Sequence, residues 1–377
     1  KTQTLNTFSD NSIDNLRLNL REELKKRDNE DNDNLRLRSL FERFDNRELL
    51  KLGKRIIATA EIISALDFAN YNDARLTNEI IFDTMTEAGR ILIAGKSDNI
   101  HKNSDCFILI DLGGDDLYKN LIARSDENKL VSLYFDFGGN DNYISSVNFD
   151  ISSTVFGVSY LFDKSGADRY SGLNNSVASA YFGIAAIDDQ SGADFYQCNL
   201  YGLGAAVFGI AILQDLGGND IYNGGAYCQG FGSVKGYGLV CDYSGNDCYL
   251  SGNQIIDSIR YYSNSITMSQ GCGFGIRPYI PGGCGLLIDK EGNDLYKSDV
   301  FGQATSYWQA LAGLIDYSGD DKYISHRYSQ AGAVHFGISG LLDYAGNDEY
   351  SSYEVSQGCA HDISFALLYD KTGDDYY

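Results

Sequence analysis

One eight-residue pattern, D-x-x-G-x-D-x-Y, recurs ten times and fixes what this chain can fold into. Its first aspartate is Asp111, Asp136, Asp163, Asp189, Asp215, Asp242, Asp289, Asp316, Asp343 and Asp370. Its second is Asp116, Asp141, Asp168, Asp194, Asp220, Asp247, Asp294, Asp321, Asp348 and Asp375. The intervals are 25, 27, 26, 26, 27, 47, 27, 27 and 27 residues, and none of the four fixed positions fails in any copy. A period held so tightly means a stacked array in which each copy is one structural unit. Residues 26 or 27 apart then lie over one another.

The residues between motifs keep the same register. Two before the first aspartate stands a large apolar residue, such as Leu161, Ile187, Leu213 and Leu314, with Tyr134 in one copy. Four before it stands a small one, such as Ser159, Ala185, Gly238 and Ala312. Thirteen before it four copies carry Gln229, Gln303, Gln330 and Gln357, placed to form interior amide ladders. Like stacked on like at about 4.8 Å is what a β-helix produces. Leucine-rich repeats have this length but a different apolar spacing, and propeller blades are longer. The reading is mainly β: a parallel β-solenoid of about ten coils over 105–377, each of two or three short strands. The eight cysteines show no metal-finger spacing and read as small buried hydrophobes.

Residues 1–104 read as an α-helical N-terminal cap or docking domain. Ile13, Leu16, Leu20 and Leu24 recur at helical spacing, as do Leu37, Leu40, Phe41 and Phe44. Two further helices are predicted over Arg47 to Leu66 and Asp73 to Gly95, with Asp73 as N-cap; Asp28 to Asn34 reads as an exposed connection. This region is nearly neutral, with 17 Lys and Arg against 18 Asp and Glu. Residues 105–377 hold 13 against 34, and twenty of those acids are motif aspartates. Such a surface argues against nucleic acid and for cations or basic partners. No apolar run is long enough to span a bilayer.

Within the motif the glycine can supply positive φ for a turn, and the first aspartate can accept backbone N–H groups two or three residues on. The second aspartate and the tyrosine are two apart and share a strand face. Stacking sets two rows of like charges about 4.8 Å apart. Each neighbouring pair costs about 0.9 kcal/mol in water-like surroundings and about 3.5 kcal/mol at an effective dielectric near 20. Nine pairs in one row cost about 8–30 kcal/mol, against a whole-domain stability of about 5–15 kcal/mol. Something must neutralise the rows. Oxygen-rich acidic turns suit Ca²⁺, so all twenty motif aspartates are candidate ligands. G-x-D-x-Y, as in Gly218-Asn219-Asp220-Ile221-Tyr222, resembles the latter part of the RTX nonapeptide G-G-x-G-x-D-x-U-x. That resemblance implies a Ca²⁺-binding parallel β-roll in a secreted protein, with the second aspartates as ligands. The chain departs from it in replacing the leading Gly-Gly by Asp-x and in spacing its motifs three times as far apart.

The 47-residue interval carries two inserted loops within 250–282, holding both prolines with Arg260, Tyr261, Arg277 and Tyr279. In the next coils Trp308, His335 and Asp362 stand eight before the motif aspartate, one above another. Arg260, Tyr261, Arg277, Tyr279 and Trp308 are candidate ligand contacts. No G-x-S-x-G, H-E-x-x-H or phosphate loop is present. The expectation is a non-catalytic extracellular or cell-surface structural or adhesive solenoid, stabilised by Ca²⁺ and without an organic cofactor. The chain stops at Tyr377 in the tenth motif, which predicts end-to-end self-association, with a glycan or cell-surface partner as the other option. The alternative is a polysaccharide-active lyase or hydrolase using Arg277, His335 and Asp362, or a glycan-binding module without turnover.

Overall fold

The computed structural model describes residues 30–43, 45, 47–68, 74–258 and 263–377. The chain divides into two units, residues 1–44 with 278–280 and the remainder. In the smaller unit a helix, α1, runs over 30–43. It takes in residues 30–34, which the sequence reads as a connection; Glu30, Asp31 and Asp33 are polar, but acids suit a first helical turn. The predicted helix around Ile13 to Leu24 lies outside the described residues, as does Asp73.

The larger unit is a parallel β-solenoid. The coils lay their strands on three faces. The widest face is a 12-stranded sheet that starts with the hairpin Ile80–Thr86/Gly89–Ala94 and continues through Cys106–Asp111, Val131–Asp136 and Gly157–Asp163 to Phe365–Asp370. A ten-stranded sheet runs from Ile100–Lys102 to Glu349–Ser351, and the third face carries two four-stranded ladders. Neighbouring coils pair in the register of the repeat, Asp136 with Asp163, Asp163 with Asp189 and Asp316 with Asp343. The apolar residue two before each aspartate points inward and is buried, as Leu161, Leu213 and Leu314 show. Facing these residues is a ladder of nine fully buried tyrosines from Tyr118 to Tyr350, ring centroids 4.6–4.9 Å apart and tilted by 2–13°. All eight cysteines are free thiols, five buried and three half-buried.

The helix α2, Arg47–Ser64, lies across the outer face of the wide sheet. Its Ala60, Ile56 and Ile63 pack on Leu133, Phe135, Tyr160 and Phe162. It therefore covers a flank. The first coil's edge is covered by the hairpin instead, which corrects the helix expected over Asp73 to Gly95. A short 3₁₀ turn at Ala74–Thr77 precedes two strands joined at Glu87 and Ala88. Ile80, Ile81 and Ile91 do fall at helical spacing, but Ile91 to Ile93 pair in parallel with Ile108 to Ile110. That pairing, distant in sequence, outweighs a local preference worth only tenths of a kcal/mol per residue.

The glutamines also differ from expectation. They do not bond to one another: Gln303 Nε2 donates to the carbonyls of Tyr296 and Ile324, and Gln330 repeats this with Tyr323 and Ser351. Each amide thus ties its own coil to the next. Gln270 does the same between Tyr249 and Lys297, so the coil bearing the two inserted loops closes like the others.

Candidate functional site

The motif folds as the wide sheet's strand ends and the chain turns into the tyrosine strand. The first aspartate is buried in every copy but the last, and in seven copies its Oδ1 accepts the backbone N–H two residues on, at 2.9 Å from Gly138 and Gly217 and 3.1 Å from Ser165 and Ser244. Its Oδ2 accepts the tyrosine hydroxyl of the coil before: Tyr143 to Asp163 at 2.6 Å, Tyr170 to Asp189 at 2.7 Å, Tyr196 to Asp215 at 2.7 Å. The second aspartate uses Oδ1 to accept the N–H of its counterpart one coil earlier, Asp141 to Asp168 and Asp168 to Asp194, each at 2.6 Å. The glycine supplies the expected positive φ in five of the ten copies, 149° at Gly139 among them, and it is also needed for space. A Cβ on Gly139 would fall 1.5 Å from the Gly114 carbonyl oxygen, and one on Gly319 would fall 1.4 Å from that of Gly292.

The second aspartate leaves one oxygen over in nine motifs, and the Oδ1 atoms of Asp289, Asp343 and Asp370 also lack a partner. The Oδ2 atoms of Asp116, Asp141, Asp168, Asp194, Asp220, Asp247, Asp294, Asp321 and Asp348 are buried and have no hydrogen-bond partner. Each belongs to a residue no more than 2 % exposed. The second aspartate of one coil and both aspartates of the next bring one oxygen each within 4.8 Å of one another, as in Asp116/Asp136/Asp141 and Asp168/Asp189/Asp194. Five groups of this kind, counting His101/Asp111/Asp116, are joined by five more along the chain. Burial first, and neighbouring carboxylates after it, push Asp116 up to about 8 and Asp220 up to about 9. Asp242 rises to about 9 for the same reasons, and Asp163 goes well above the carboxylate range. Such a column is not stable fully ionised; it holds either protons or cations. Apart from His101 in the first group, the donors in the groups named are hard carboxylate oxygens, which fit Ca²⁺ and not a soft thiophilic metal.

The column starts one turn earlier than the motif shows. Ala94, Asn99 and His101 occupy the places of first aspartate, second aspartate and tyrosine. Asn99 N–H donates to Asp116 Oδ1 at 2.6 Å, its side-chain amide reaches Asp111 Oδ2 at 3.3 Å, and His101 stacks on Tyr118 with Nε2 2.6 Å from Asp111 Oδ2. None of the four fixed letters survives in this coil, so a motif search passes over it. Its only sequence signal is position, 17 residues before Asp116 and Tyr118.

A second assembly lies on the flank. His335 sits between Asp362 and Arg277, with Nδ1 2.6 Å from Asp362 Oδ2 and Nε2 2.9 Å from Arg277 Nη1. The guanidinium carbon stands 5.7 Å from the Trp308 ring centroid. Arg277, Tyr307, Tyr328, His335 and Asp362 line an open cleft of about 270 Å³. The structure thus brings together Arg277, Trp308, His335 and Asp362. Tyr279 belongs to the smaller unit, where its hydroxyl donates to Asp31, and Arg260 and Tyr261 lie outside the described residues. Among the described residues no helix is long and apolar enough to cross a membrane. No family model, curated protein or solved structure matches the chain.

Proposed function

We propose that the chain is a non-catalytic structural or adhesive solenoid of the cell surface or extracellular space, whose carboxylate column is neutralised by Ca²⁺. The observation that carries this reading is the row of nine buried second-aspartate oxygens without a donor. A buried carboxylate oxygen without a partner costs about 1–3 kcal/mol or more, and nine in line are costly unless a cation is shared between coils. One Ca²⁺ per motif offsets two carboxylates, so the column becomes neutral at every level. Sites made from three carboxylates, without a closed carbonyl cage, belong at the weak end of the Ca²⁺ range, about 10⁻⁴–10⁻³ M, where extracellular modules work. The uniform repetition and the absence of catalytic motifs in the sequence fit a load-bearing or surface-displaying role. Equilibrium dialysis against Ca²⁺ at about pH 8 should find bound ions approaching one per motif, five groups and five more. Fewer than two ions per chain at saturation would overturn the proposal.

A further inference from the structure

The flank cleft carries a separate function. In residues 105–377 acids outnumber Lys and Arg by 34 to 13, yet no carboxylate among the described residues lies within 4.0 Å of the Arg277 guanidinium. It is held instead by a neutral acceptor and an aromatic face. Asp362 takes the Nδ1 proton of His335, which fixes the tautomer and leaves the Nε2 lone pair to accept from Arg277 Nη1. One of the five guanidinium N–H groups is used in this way. The others meet no acceptor among the described residues, and Trp308 backs the plane at 5.7 Å. A pre-oriented guanidinium with a free edge is a fork for a carboxylate.

The walls beside it are aromatic. Tyr307 stacks on Phe274 at 5.3 Å and Tyr328 on Phe301 at 4.9 Å, and both tyrosines are half-buried with hydroxyls that make no protein hydrogen bond among the described residues. At about 270 Å³ the cleft is below the size of pockets for drug-sized ligands, about 300–1,000 Å³, and suits one six-membered ring. Trp308, His335 and Asp362 all hold left-handed φ, at 56°, 57° and 53°, and each is followed by a second left-handed residue. In earlier coils this corner has a single one, as at Phe182 and Phe208. The doubled corner and the inserted loop meet only here.

We propose that this cleft binds a carboxylate carried on a six-membered ring, the carboxylate forking onto the free edge of Arg277 and the ring lying against Tyr307 and Tyr328. The chain's one tryptophan gives the readout. Galacturonate, galactose and benzoate are titrated into the full chain, followed by Trp308 fluorescence and by calorimetry. At least one carboxylate should bind saturably while galactose does not; galacturonate alone identifies a sugar acid, benzoate alone an aromatic one. Arg277→Ala should weaken binding at least about tenfold, and Arg277→Lys should also lose affinity, because a point charge cannot replace the fork. Arg277 is exposed on its loop, so the variants should melt with the parent; should Arg277→Ala melt early, His335→Gln, which removes the prop without touching the cation, takes its place. No saturable binding by either acid, equal binding of galactose, or undiminished binding by both variants would overturn the assignment.

Discussion

The carboxylate column makes the solenoid's stability depend on pH in an unusual direction, and Ca²⁺ should reverse it. Asp116, Asp141 and Asp194 are pushed up to about 8 in the folded chain, from an ordinary value of 3.8, by burial first. A carboxyl with a raised folded-state pKa keeps its proton when folded and has lost it when unfolded. Its contribution is therefore complete below about pH 4 and disappears as pH rises through the folded value, here between about 4 and 8. Each such group gives a slope of about 1.4 kcal/mol per pH unit. Two retained protons already remove about 8 kcal/mol between pH 5 and pH 8, comparable to a whole domain's stability. Ordinary proteins, whose paired carboxylates have depressed values, gain stability over this window. Ca²⁺ binds only the ionised form, so it acts at the alkaline end. At about ten times Kd a site contributes about 1.4 kcal/mol, and about six sites offset about 8 kcal/mol.

The assay is thermal unfolding by circular dichroism at about pH 5 and about pH 8, in chelator or in millimolar Ca²⁺. In chelator the midpoint should fall on going to pH 8. Ca²⁺ should restore it there by on the order of 10 °C and change it far less at pH 5. Mg²⁺ should do less, since it demands near-octahedral geometry and keeps its water. Equal midpoints at both pH values in chelator would refute the burial argument itself. A pH effect that neither cation relieves would leave a column held by protons and remove the calcium.

Two substitutions separate the rows. Asp194→Asn should stabilise the chelated chain at about pH 8 by about 1–3 kcal/mol in denaturant melts, by deleting a buried charge, while shrinking its response to Ca²⁺. Tyr196→Phe leaves Asp215 Oδ2 without its 2.7 Å donor and should cost about 1–3 kcal/mol, read as a lower denaturant midpoint at unchanged slope.

What could be read from the sequence follows from which interactions repeat. The register and the inward apolar position recur every 26 or 27 residues and are found, and the acceptance of backbone N–H by the first aspartate is found in seven of the ten copies. Trp308, His335 and Asp362 could be placed in one column because counting from the motif is enough. Their meeting with Arg277 could not, because the inserted loop has no periodicity and its path is set by packing. The same limit explains the hairpin at residues 80–94, whose apolar spacing suits a helix until Ile91 to Ile93 find Ile108 to Ile110. It explains the glutamines too: stacking predicts amide on amide, but left-handed φ at Gln303 and Gln330, 53° and 51°, accompanies side chains turned onto carbonyls of both coils.

The column's hydrogen bonds have a direction, and that direction separates scaffold from function. The eight motif tyrosines from Tyr118 to Tyr323 donate to the first aspartate one coil later, whereas Tyr350 turns back, to Asp343 of its own coil. The N–H groups of the second aspartates from Asp116 to Asp348 donate forward to the next second aspartate. A first coil must therefore donate without adding a carboxylate beneath, and Asn99 and His101 do this where Asp and Tyr would stand. The insertion leaves the line unbroken. Tyr249 still reaches Asp289 at 2.7 Å across 40 residues, and Asp247 N–H reaches Asp294 Oδ1 at 2.7 Å across 47. Since the axis tolerates two extruded loops while keeping both of its inter-coil bonds, the loops are free to vary, and variation on a rigid frame is where binding groups arise. Arg277 comes from such a loop, while Trp308, His335 and Asp362 come from corners that the column holds one above another. Breaking the column should therefore disturb the cleft, whereas changing the cleft should leave the column intact.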